Sequence, residues 1–178
     1  MRFSDMLGRI EYAPVAEIGL GYHRKDILEP KFHGRSGFGF LIPRSEGLRS
    51  LGTVWTSTLF PGRAPEAAAS FTTFMGGATD TAIRGCTDEE IATTAHAELS
   101  RVLGIGRAPI AQHTARWDRA LPQYNVGHGK IVQSLGHLCA EVPGLFLTGN
   151  YLSGPSLGAC VEQANKIADE VAAYTRRE

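Results

Sequence analysis

The sequence predicts an α+β fold: an antiparallel sheet with helices, followed by a C-terminal strand, glycine turn and helix. Three observations predict it. Runs of β-forming residues recur at short spacing between polar turns, the pattern of an antiparallel sheet of three or four strands. A capping box opens an amphipathic helix near the middle of the chain. The stretch 145–174 then passes from an apolar run through several glycines into a segment of helical periodicity.

In chain order, residues 1–9 read as a short helical piece, and a strand follows over 14–22, where Val15, Ile18, Leu20 and Tyr22 succeed Pro14. His23, Arg24, Lys25 and Asp26 form a solvated turn, and His33 lies in a loop with no partner at ligand spacing. Phe38, Phe40 and Ile42 alternate with Gly39 and Leu41, and after a turn at 43–47 a second β-rich run covers 53–60 and stops at Pro61-Gly62. A third run covers 69–75. Phe38, Phe40, Trp55, Phe60, Phe71 and Phe74 supply the large side chains that line the faces of this sheet, most of them as core.

Thr87-Asp88-Glu89-Glu90 is the capping box, and Ile91, Ala95, Leu99 and Val102 then face one way until Gly104 stops the helix. The three acidic residues complement the helix dipole and are not read as paired catalytic carboxylates. His96 sits beside the apolar face, partly exposed. A strand is expected over 109–117, and Ile131, Leu135, Leu138 and Val142 give a short helix ending at Pro143-Gly144. His113, His128 and His137 are too scattered to bind a metal, and no serine, histidine and aspartate grouping suggests a triad.

In the final stretch Leu145, Phe146 and Leu147 suit a short buried strand, and Cys160, Ala164, Ile167, Val171 and Tyr174 repeat at steps of four and three. The first amides of such a helix lack internal partners and carry partial positive charge, so its start can hold an anion or an electron-rich carbonyl. Gly154 and Gly158 allow close approach of a ligand, and Ser156 can cap the helix or donate to that ligand. Without a ligand, the same glycines simply make a tight connection. A triphosphate loop is excluded because Pro155 stands where the lysine would be, and no dinucleotide fingerprint opens a helix. The chain has no complete nucleotide site of its own.

With 178 residues there is enough chain for one domain or one lobe of something larger. Lysine plus arginine equals aspartate plus glutamate at 18 each, which gives no electrostatic case for nucleic acid binding. Cys86, Cys139 and Cys160 match neither a zinc site nor a disulfide framework and suit a reducing cytoplasm, with Cys160 as small core filler. The start of the chain lacks an apolar core of the signal-peptide kind, and no span suits a membrane.

The segments YAPVAEIGLGY (12–22), GFGFLIPRSEGLRSLGTVWTSTLFPGRAP (37–65), TTFMGG (72–77), RWDRALPQYNVGH (116–128) and PGLFLTGNYLSGPSLGACVEQA (143–164) together resemble the C-terminal part of the protoporphyrinogen oxidase family, flavoenzymes of heme synthesis. The resemblance implies FAD as cofactor and a porphyrinogen as substrate, with hydride removal to the flavin. It implies that residues 1–115 belong to the substrate-domain sheet and 116–178 to the flavin side of an FAD-binding domain whose dinucleotide-binding unit is missing. Trp117 would pack near the flavin, Pro155, Ser156 and Leu157 would contact the ring edge, and Gly149 and Asn150 would lie near the ribityl chain. Phe38, Leu41 and Phe60 would face the substrate. The expected partners are an N-terminal FAD-binding half supplied in trans, or a second copy in a homo-oligomer, and the expected location is cytoplasmic or peripheral to a membrane. Two other readings stay open: a non-catalytic self-associating module, and another flavin amine oxidase or carotenoid desaturase type.

Overall fold

The computed structural model describes residues 2–28 and 37–176, so His33 lies outside the described residues. The chain divides into two compact units, one of residues 13–120 and one that joins residues 1–12 to 121–178.

The first unit is built on an antiparallel five-stranded sheet in the order β2-β3-β4-β1-β5, with β1 Tyr12–His23, β2 Gly39–Leu41, β3 Ser50–Val54, β4 Ala68–Gly76 and β5 Ala111–Pro122. Burial alternates along β1 and β4, as a half-covered sheet requires. Ile18, Leu20, Tyr22, Phe71 and Met75 face inward against Ile91, Ala95, Leu99 and Leu103 of α3, the helix Asp88–Leu103. The register Leu20↔Phe71 places two fully buried side chains opposite each other, and truncating Phe71 to alanine would cost about 3–5 kcal/mol.

α3 starts as the capping box requires. The Thr87 hydroxyl accepts from the Glu90 amide at 3.2 Å, and the Thr87 amide donates to Glu90 Oε2 at 2.7 Å, which holds the Glu90 carboxyl below the usual glutamate range. A second carboxylate ties the helix to the sheet. Glu98 accepts from the Arg49 amide at 2.8 Å, and from the Ser50 amide at 2.9 Å and hydroxyl at 2.5 Å.

Two expectations for this unit change. The sheet has five strands rather than three or four. The run 53–60 is not one strand: β3 ends at Val54, and Thr56–Leu59 turns as a short helix, α2, because the Trp55 carbonyl accepts from the Thr58 and Leu59 amides. Its β-forming residues are used in a turn, where Thr56 Oγ1 pairs with Thr72 Oγ1 of β4 at 2.7 Å. Among the predicted aromatics, Trp55 and Phe71 are buried and Phe40 packs against the core, whereas Phe38 and Phe60 are exposed.

The second unit contains α1 Phe3–Leu7, α4 His128–Ala140, α5 Asn150–Ser153 and α6 Leu157–Thr175. α1 packs on α4, and Met6, Ile10 and Leu135 form its buried centre. The Gln123 amide donates to the Glu11 carbonyl at 2.8 Å and Asn125 Nδ2 to Glu11 Oε2 at 3.0 Å, joining the two chain segments of the unit. The strand expected at 145–147 does not form. A strand exists by pairing, and no described residue pairs with Phe146 or Leu147. No helix among the described residues is long and apolar enough to cross a membrane.

Candidate functional site

Gly149 and Gly154 bracket α5 with φ of 145° and 142°, a region that L side chains rarely adopt. A Cβ on Gly149 would also come within 2.7 Å of the Tyr151 ring. Two side chains hold this short helix from the α4 side: the Tyr124 phenol donates to the Asn150 carbonyl, and His128 Nε2–H donates to the Tyr151 carbonyl at 2.8 Å. The two rings lie 4.7 Å apart, and burial pushes the Tyr124 phenol above its ordinary value. The Gly149 amide donates to Gln163 Oε1 of α6 at 3.4 Å. The sequence does not announce His128 and Tyr124 in this role, because Tyr124 precedes the helix that His128 opens and both bond backbone carbonyls.

The chain then enters α6 through Pro155 and Ser156, whose hydroxyl accepts from the Ala159 amide at 3.1 Å. The Cys160 amide reaches the Ser156 carbonyl, so the amides of Leu157 and Gly158 are the two without a partner in the helix. Leu157 is 81% exposed, and the space in front of Gly158 is open to 4 Å. A planar group with carbonyl oxygens fits this end: two amides, the positive end of the helix dipole and an open approach. Gly149, Asn150, Pro155, Ser156 and Leu157 thus cluster in one unit, whereas Trp117 stands on β5 of the other, 47% exposed.

On the sheet unit, the face turned away from α3 carries the outward positions of each strand. Register pairs Glu17 with Phe74, Gly19 with Thr72 and Val54 with Thr72, so these residues share one face. Leu41, opposite Gly52 in β2, belongs to it and is 87% exposed. Phe38 precedes β2 and Phe60 follows α2, both solvent-facing. Sequence reasoning named Leu41 but not Val54 or Thr72, because the facing of a central strand is set by pairing across the sheet. The helical unit has a separate groove of about 360 Å³ of mixed character, with Leu135, Phe146, Leu147 and Ile167 beside Lys166 and Glu170.

The sequence matches the family of flavin containing amine oxidoreductases over residues 2–173. It is 36% identical over 174 residues to protoporphyrinogen oxidase 1, chloroplastic, of Spinacia oleracea, covering 94% of this chain and 31% of the spinach protein. It is 27% identical to coproporphyrinogen III oxidase of Bacillus subtilis (strain 168), covering 90% of this chain and 33% of that protein. The fold is shared with a crystal structure assigned as a protoporphyrinogen oxidase from Exiguobacterium sp. 255-15, at a TM-score of 0.79 and 20% identity over 94% of this chain and 36% of the other. It is also shared with reduced UDP-galactopyranose mutase, at a TM-score of 0.70 and 12% identity over 95% of this chain and 35% of the other. The chain therefore spans about a third of the length of the relatives it matches. A match that runs through both the sheet unit and the glycine-bracketed helix start places this chain in the flavin containing amine oxidoreductase family.

Proposed function

We propose that this chain supplies the flavin-ring edge and the substrate-side sheet of an FAD-dependent oxidase acting on a porphyrinogen. The observation that carries the reading is the start of α6, where the amides of Leu157 and Gly158 are unpaired behind an open approach. Bound FAD supplies the acceptor for a hydride leaving the substrate. The chain's own part is electrostatic and positional. The two amides and the helix dipole favour negative charge on the ring edge, and Tyr124 and His128 fix the carbonyls of α5 so that the turn does not shift. In this reading Gly149 and Asn150 would lie along the ribityl chain of bound FAD, Pro155, Ser156 and Leu157 would contact the ring edge, and Trp117 would pack near the flavin. Leu41, with Phe38 and Phe60, meets the flat substrate from the sheet side.

A dinucleotide-binding half supplied by another polypeptide completes the site in this reading. Support comes from Phe146, Leu147 and Thr148, whose backbone amides have no partner among the described residues, beside a groove. Such groups call for a neighbouring strand. The test is co-expression of this chain with the dinucleotide-binding half of a porphyrinogen oxidase. A yellow co-purifying complex that oxidises porphyrinogen is the expected result. A colourless complex, or none, would remove the reading.

A second reading, a non-catalytic module that pairs with its own copy, has one observation in its favour. Leu157, Val161, Ala164, Ala168 and Val171 form a stripe along α6 that is exposed throughout. A flavin-free dimer that persists on dilution, with no uptake of FAD, would favour this module over the oxidase.

A further inference from the structure

The open face of the sheet holds a hollow of about 280 Å³ whose lining includes Gly19, Gly21, Thr56, Arg63, Thr72 and His113. It exists because β1 places glycine at two successive outward positions, so nothing projects between β4 and the start of β5; a Cβ on Gly21 would meet that of Ala111 at 3.3 Å. The Arg63 guanidinium, the His113 imidazole, Gln112, Ser70 and two threonine hydroxyls 2.7 Å apart line it within a mostly apolar wall, with no carboxylate, in a chain whose net charge is zero. Neither the Arg63 guanidinium nor the His113 imidazole has an ion pair or side-chain hydrogen bond among the described residues. Glu17 lies on the same face two residues before Gly19 in β1 and does not line the hollow.

We propose that this hollow is a carboxylate-binding site that receives an acidic side arm of the substrate, with Arg63 as its cation. The inference rests on the porphyrinogen reading above and adds how the ring is oriented. A planar guanidinium pairs with a carboxylate through two parallel N–H bonds, and of the Thr56–Thr72 pair, in which one hydroxyl donates to the other, Thr72 can donate to a remaining lone pair when Thr56 donates to it. Spacing on the sheet agrees. Phe74 and Thr72 are alternate residues of β4, about 7 Å apart, so a flat ring resting on Phe74 carries a side arm over Thr72 and into the hollow. Arm recognition of this kind makes Arg63 a specificity residue and leaves the oxidised carbons to the flavin.

The experiment titrates the full chain with coproporphyrin, a stable fluorescent ring with propionate arms, and with its methyl ester, which has the same ring and no charge. Arg63→Met is expected to weaken binding of the acid about tenfold and to leave binding of the ester unchanged, and Arg63→Glu to weaken the acid further. Unchanged ester binding also reports that the variants are folded. Acid binding that ignores Arg63→Met overturns the assignment, as does an equal loss for acid and ester. If neither the unaltered chain nor its complex with the dinucleotide-binding half binds either ring, the porphyrinogen reading falls and the site falls with it.

Discussion

Tyr22 is the largest fully buried side chain among the described residues, and its hydroxyl lies 2.9 Å from His96 Nδ1, which Ser100 Oγ also approaches at 3.1 Å. Burial pushes this phenol well above the usual tyrosine range. The folded state therefore holds the proton more tightly than the unfolded chain, so this contribution to stability is complete below about pH 10 and is lost as pH rises above it. Tyr22→Phe is expected to cost about 1 kcal/mol near neutrality and to flatten the alkaline fall, which urea unfolding at a series of pH values would read. Such a pair was not legible from sequence, since His96 is 74 residues from Tyr22 and no periodicity joins them. The Ser156 cap was legible because it acts within three residues. Its neighbours Tyr124 and His128 went unread for a different reason: their partners are backbone carbonyls, which no residue type announces.

At the level of elements, α3 shows both sides of that difference. Its start and stop are written locally, in the Thr87 box and in Gly104 with its left-handed backbone. Its attachment to β3 is not. Glu98 satisfies two backbone amides and the buried Ser50 hydroxyl, so Glu98→Ala leaves three donors without their acceptor and is expected to cost about 3 kcal/mol, measured as a drop in unfolding free energy. The two misread elements fail for opposite reasons. Residues 56–59 carry β-forming side chains, but the Trp55 carbonyl accepts from the amides of Thr58 and Leu59 and closes a turn. Residues 145–147 have the composition of a buried strand, but the Leu145 amide turns back to the Val142 carbonyl and no strand pairs with Phe146 or Leu147 among the described residues. Composition describes what a segment can do, and pairing decides what it does.

For the whole molecule, the chain passes between its two units only twice, after Tyr12 and after Ala120. These crossings fall at the start of β1 and near the end of β5, which are antiparallel neighbours, so they lie side by side. The 2.8 Å bond from Gln123 to Glu11 closes the second unit just beyond them. Residues 13–120 are therefore expected to fold when expressed alone, with a single cooperative transition and the circular dichroism of a mixed sheet and helix; a molten product would contradict this. The sheet unit is in effect a guest sequence received between adjacent points of a host. Recombination at those two points could exchange one sheet unit for another while the glycine-bracketed turn of the host stays unaltered, letting the two units diverge at separate rates.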